Sequence, residues 1–214
     1  MQRCSRLLVL VCLPLVVALT HVDATRAQGV VEGGSATPSA HALPPNELGI
    51  WGGASIGATD LIGRRTGFDF DEAGLRYGRN LWRGEHASFD WTIDAIPLAL
   101  ISLDRSSDGS GTRHTVYGGG LAPLGLRLAY DDAQWIRPYF AASGGFLYFD
   151  ERVPADATKF NFTYEFGIGV QLLLTHMDAF TLGYRYHHMS NGGLADRNPG
   201  FDSNILYGGF SLFR

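Results

Sequence analysis

Three residue types that together make an activated nucleophile fall within one short stretch, Tyr184 to Asp202. His188 and Ser190 stand two apart at the end of an alternating run, and Asp202 follows a Gly-, Asn- and Pro-rich loop. On a β-strand, residues two apart point to the same face, so the imidazole and the hydroxyl are neighbours. The loop returns the chain so that Asp202 lies on an adjacent antiparallel strand. Base, nucleophile and acid are the parts of a serine hydrolase, which is recognised by geometry rather than by chain order. A lone His-x-Ser on a strand is more often packing than catalysis, and Gly, Asn and Pro are ordinary turn chemistry. The case therefore depends on the elements that hold these residues.

A strand-turn-strand pattern runs from about residue 47 to the end. Eight strands are expected, at 47–57, 70–81, 87–103, 115–130, 134–149, 159–173, 179–190 and 202–213. In the sixth, Phe160, Phe162, Tyr164, Phe166, Ile168, Val170 and Leu172 share one face; Asn161, Thr163, Glu165, Gly167, Gly169 and Gln171 share the other. The seventh places Phe180, Leu182, Tyr184 and Tyr186 opposite Thr181, Gly183 and Arg185. The third places Asp90, Thr92 and Asp94 opposite Phe89, Trp91 and Ile93. A soluble β-sandwich wets its polar face. A narrow barrel instead fills its interior with small and paired charged residues and turns its apolar face to lipid. Longer polar loops follow the odd strands, at 58–69, 104–114, 150–158 and 191–201, and shorter links follow the even ones. Outer-membrane barrels alternate long external loops with short periplasmic turns in this way. The expected fold is all-β, an eight-stranded antiparallel transmembrane β-barrel over residues 47–214, with Glu165 and Arg185 paired inside it.

An export signal agrees with this. Arg3 and Arg6 precede an apolar run, Leu7–Leu19, and small-x-small cleavage sites end at Ala24 and Ala27. Residues 1–27 read as a signal peptide and residues 28–46, rich in Gly, Ser, Pro and Ala, as a flexible lead-in. Cys4 and Cys12, the two cysteines of the chain, both lie in the leader. The mature chain then offers neither a disulfide framework nor a thiolate nucleophile. Removing residues 1–27 takes away three Arg and one Asp and moves the formal charge from −4 to −6. That balance argues against nucleic-acid binding.

The topology constrains the chemistry. With both termini periplasmic, the seventh strand runs outward, and His188 and Ser190 continue the lipid-facing column of Phe180, Leu182, Tyr184 and Tyr186. An activated serine on the outer wall implies a lipid substrate. The segment resembles the outer-membrane lipid A 3-O-deacylase family, the PagL-like barrels. That family carries His-x-Ser-Asn near the end of its seventh strand and an acid twelve residues after the serine. Here the element reads His188-Met189-Ser190-Asn191, and the twelfth residue after Ser190 is Asp202. The family's acid is commonly Glu, so Asp202 is a departure by one methylene. The resemblance further implies that Asn191 and the Gly193 amide serve the oxyanion hole and that Asn198 is the asparagine beside the site, where substrate binds. It implies hydrolysis of the 3-O-linked acyl ester of lipid A in the outer leaflet of the bacterial outer membrane, with no cofactor and no metal. It leaves the oligomeric state open.

His187 points to the opposite face from His188, so the adjacent pair does not make a metal site. Asp90, Asp94, Glu165, Arg127, Arg137 and Arg185 are expected to fill the narrow interior as a charge network. The competing reading is a non-catalytic eight-stranded barrel with a structural or adhesion role, in which residues 188–202 are incidental.

Overall fold

Alternation of apolar and polar residues, punctuated by Gly, Asn and Asp turns, yields strands throughout the computed structural model. It describes residues 43–59, 61–63, 68–104, 113–131 and 135–214. The strands are β1 (Asn46–Thr59), β2 (Phe68–Arg83), β3 (Ala87–Asp104), β4 (Arg113–Tyr130), β5 (Ile136–Phe149), β6 (Phe160–Leu173), β7 (Asp178–Ser190) and β8 (Phe201–Phe213). They form a closed barrel in sequence order. β8 pairs antiparallel with β1 from Glu47↔Phe213 to Thr59↔Asp202. A closed barrel leaves no sheet edge unpaired, which excludes the sandwich.

The signal peptide and most of the lead-in expected from the sequence lie outside the described residues. The lead-in reading needs one correction. Leu43 is buried against Ala179 and Phe213. Its carbonyl accepts a hydrogen bond from Arg83 (2.6 Å), and the Pro45 carbonyl accepts one from the Asn80 amide (2.7 Å). The chain is thus docked from Leu43 onward, because an apolar side chain there covers one end of the barrel interior.

Short links close one end. Gly84, Glu85 and His86 join β2 to β3, with the Gly84 amide donating to the Ala87 carbonyl at 2.8 Å. The β6–β7 link is braced by the Leu174 amide donating to the Asp178 carbonyl at 3.1 Å. The longer connections, including 150–159 and 191–200, lie at the opposite, loop end.

The outer surface is apolar. Leu48, Ile50, Leu75, Leu126, Leu128, Phe140, Ile168, Leu182 and Leu206 are all exposed there. Trp82, Tyr130 and Trp135 ring the turn end, and Tyr117 and Tyr148 the loop end. An apolar band between two aromatic girdles is the surface of a barrel that sits in lipid.

The interior is filled in layers. At the loop end Phe68, Phe70, Ile101, Leu147, Phe149, Met189 and Phe201 form an apolar core. At the turn end Arg127 donates to Glu47 and to Asp90 (2.9 Å), and Arg137 to Asp90 (3.0 Å) and Gln171 (2.7 Å). Between them Arg185 lies 3.1 Å from Glu72 and 2.9 Å from Glu165. Its guanidinium also sits over the rings of Trp51 (4.1 Å) and Tyr207 (4.6 Å). Across β5 to β8 one row reads Tyr139↔Gly169↔Gly183↔Tyr207. The two tyrosines lie over the glycines and their hydroxyls meet at 2.5 Å; a Cβ on either glycine would come within 2.4 Å of a tyrosine ring. The absence of side chains at Gly169 and Gly183 is what makes room for the phenols.

Candidate active site on the outer wall

The ladder on both sides of β7 decides where its side chains point. Pairing with β6 runs without a shift from Leu173↔Ala179 to Phe162↔Ser190, and pairing with β8 from Asp178↔Leu212 to Met189↔Phe201. No bulge breaks the parity, so His188 and Ser190 stay on the outer column of Phe180, Leu182, Tyr184 and Tyr186. They sit at its loop end.

His188 is paired directly with Asp202 across the ladder. The imidazole Nδ1 and the carboxylate Oδ1 are 2.6 Å apart. Directly opposed residues have Cβ atoms about 4.5–5.5 Å apart, which a carboxylate as short as Asp can span. The other oxygen, Oδ2, accepts the Ile62 amide at 2.6 Å and the Gly63 amide at 2.8 Å. Both amides belong to the loop after β1, which folds over Asp202 and leaves it fully buried. Charge-assisted bonds of this kind hold a carboxylate ionised and fix its plane where water cannot.

Gly200 closes the other side. Its φ is 65°, and a Cβ there would lie 3.0 Å from His188 Cε1. The position needs both the left-handed backbone and the missing side chain. The Tyr164 ring of β6 flanks the imidazole, with centroids 5.7 Å apart. With Nδ1 engaged by the acid, Nε2 is the nitrogen left for a reacting hydroxyl. Ser190 lies opposite Phe162 and is half-buried. Among the described residues its Oγ has no hydrogen bond to His188.

Both groups expected at the oxyanion hole are committed to holding the loop. Asn191 is 1% exposed. Its Oδ1 accepts the Gly193 amide at 2.9 Å and its Nδ2 donates to the Arg197 carbonyl at 2.8 Å. Neither Asn191 nor the Gly193 amide is a free donor in this state, because a loop with positive φ at Gly192 and Gly193 uses them to close itself. Asn198 is placed differently. Its Oδ1 accepts the Asn191 amide at 3.0 Å, which leaves Nδ2 uncommitted at an exposed position.

Sequence reasoning missed Ile62 and Gly63, which act through main-chain amides that no side-chain pattern announces. His187 behaves as expected: it is buried inside, with Nδ1 2.7 Å from Glu165 Oε1 and its ring 4.6 Å from that of Phe70. Glu72, Glu165 and His187 bring ligand-type atoms within 4.8 Å of one another. The Arg185 guanidinium contacts both carboxylates and holds the place a cation would take, so this cluster is a salt-bridge network.

The comparisons with known proteins follow the geometry. The family model described as lipid A 3-O-deacylase (PagL) matches residues 71–211. The crystal structure of the outer membrane enzyme PagL is 17% identical, with a TM-score of 0.53, covering 75% of this chain and 97% of that one. The crystal structure of Neisserial surface protein A, NspA, is 13% identical, with a TM-score of 0.47, covering 78% of this chain and 96% of that one. Outer membrane protein OprG from Pseudomonas aeruginosa is 11% identical, with a TM-score of 0.44, covering 80% of this chain and 97% of that one. No curated protein matches the chain.

Proposed function

Because the chain belongs to the lipid A 3-O-deacylase (PagL) family, we propose that it is a serine esterase that hydrolyses the 3-O-linked acyl ester of lipid A. Family membership already makes it an outer-membrane hydrolase of lipid A acyl esters. The observation that carries the finer reading is the His188–Asp202 pair on the lipid-facing wall, its acid buried and its imidazole two residues from Ser190 on the same face.

Ser190 Oγ attacks the ester carbonyl and gives its proton to His188 Nε2. Asp202 holds the tautomer with the proton on Nδ1 and stabilises the imidazolium that forms. The tetrahedral intermediate collapses, the sugar oxygen leaves, and it takes the proton from Nε2. The resulting acyl-serine is then attacked by water, which gives one proton to His188; His188 passes that proton to Ser190 Oγ as the 3-hydroxy fatty acid departs. The Ser190–His188 hydrogen bond closes on substrate loading, as catalytic hydrogen bonds commonly tighten only in the loaded complex. We assign oxyanion donation first to Asn198 Nδ2, the amide left free, and second to the Gly193 amide, which must leave Asn191 Oδ1 to serve. Each such donor is worth on the order of 10²–10³ in rate.

Mass spectrometry of lipid A from cells with and without the protein tests the reading. Loss of one 3-hydroxyacyl chain, abolished by Ser190→Ala, supports it. Unchanged lipid A with the barrel correctly inserted would leave a non-catalytic barrel.

A further inference from the structure

One residue on the outer column of β7 does not behave like its neighbours. Tyr184 is 37% exposed, as befits the lipid face, but Tyr186 is 3% exposed. Its ring is covered by Phe166, with centroids 5.0 Å apart, and by Tyr164 at 6.1 Å. Its hydroxyl is buried with no hydrogen-bond partner among the described residues. A buried phenol oxygen without a partner is costly, and a tyrosine in a wall of Phe and Leu calls for a reason.

The register supplies one. Tyr186 stands two residues before His188 on β7 and pairs with Asn204, two residues after Asp202 on β8. The diagonal across the ladder from Tyr186 leads to the Asp202 carboxylate, the charged group that acts on its hydroxyl. Asn204, directly opposite, has its Oδ1 turned to the Tyr184 hydroxyl at 2.6 Å. Asp202 has room for one more donor. Oδ2 accepts two amides and Oδ1 accepts one imidazole nitrogen, whereas two carboxylate oxygens offer about four acceptor sites.

We propose that Tyr186 is a positioning residue for the reaction, its hydroxyl donating the last hydrogen bond to Asp202 and so holding the carboxylate on His188. The inference rests on the Ser190–His188–Asp202 reading given above. The groups facing Asp202 are then His188 and Tyr186 from β7 and the Ile62 and Gly63 amides from the loop after β1. Tyr164 of β6 lies behind both rings. The device suits a site in a lipid wall, where water cannot complete the carboxylate's hydrogen bonds.

The test is release of 3-hydroxy fatty acid from lipid A in detergent, at matched folded protein. Tyr186→Phe removes one oxygen and keeps the ring packing. Its kcat falls about 5–10-fold with KM unchanged, the size of a typical net hydrogen bond. The acid limb of its pH–rate profile moves to higher pH, because a carboxylate with one donor fewer holds the imidazolium more strongly. In an Asp202→Asn background the same substitution produces no further loss. Tyr184→Phe, one step down the column, keeps the parent rate. A Tyr186→Phe enzyme with parent kcat and an unmoved acid limb would overturn the inference while leaving the triad standing. So would a loss that persists in full without the Asp202 charge. Parent activity in Asp202→Asn alone would remove the acid from the functional reading, and this inference with it.

Discussion

His188 and Asp202 face each other across the β7–β8 ladder, and their 2.6 Å contact spans a carboxylate carried on a single methylene. The space around Asp202 is built to that length. The Ile62 and Gly63 amides close on Oδ2, and a Cβ on Gly63 would fall 2.8 Å from Oδ1. Although the family commonly uses Glu, Asp202→Glu must push this loop outward. We expect it to lose activity on the order of 10-fold to 10²-fold, as sub-ångström placement of a catalytic group demands. Asp202→Asn keeps the shape and removes the charge, and is expected to cost on the order of 10²–10³ in kcat. Fatty acid release at matched folded protein measures both. Asp202→Asn at the parent rate would show that the acid is misassigned.

Ser190→Ala is expected to take deacylation below detection while the barrel still inserts and shows heat-modifiable gel mobility. Ser190 is small and stands at a strand end, so its loss removes little packing. Retained activity would sink the serine mechanism.

Asn198→Asp separates donor from acceptor. It keeps the oxygen that takes the Asn191 amide and deletes the Nδ2 donor. A kcat lower by on the order of 10²–10³ is the expected outcome. Asn191→Ala, in contrast, breaks two loop hydrogen bonds. Its primary effect is faster proteolysis within 191–200, read by limited digestion in detergent.

Gly200→Ala sets a methyl against the imidazole at a φ of 65°. The left-handed backbone costs about 1–2 kcal/mol for a residue with a Cβ, and the ring must also move. Activity falls more than stability does, which parallel kinetic and urea-unfolding measurements would reveal. A variant at the parent rate would show that the imidazole tolerates displacement.

Arg185→Leu leaves Glu72 and Glu165 facing each other in the interior. Breaking a buried pair by deleting one partner costs about 3–5 kcal/mol. Unfolding in urea from detergent reads this as a lower midpoint, with the activity per folded molecule little changed. An unshifted midpoint would mean that the network is not what holds this layer.

Much of this was legible from side-chain patterning, because in a barrel parity alone assigns each side chain to lumen or lipid. Every strand boundary observed lies within two residues of the one expected, and Glu165 meets Arg185 inside as the alternation required. His188 and Asp202 were findable because a hydrogen-bonding pair left its residue types at the right register. The Ile62 and Gly63 amides were not, since any residue but proline carries the same N–H. The mutual bond of Asn191 and Gly193 was equally hidden, because a motif names residues and not which of them a loop consumes. Leu43 reads as lead-in because its surroundings are rich in Pro and Ala; only the barrel end that it covers gives it a reason to dock.

The filled lumen fixes the direction of solvent supply. Among the described residues three interior voids measure about 10–20 Å³ each, room for a single water molecule at most. A turnover that consumes one water therefore draws it over the rim, from the medium bathing the long loops, and not through the wall from the periplasm. Acyl-serine would then persist in proportion to how dry that rim becomes. On the serine mechanism proposed above, lipid crowded enough to exclude solvent from that rim would slow the second half of the reaction and leave the acyl group waiting on Ser190.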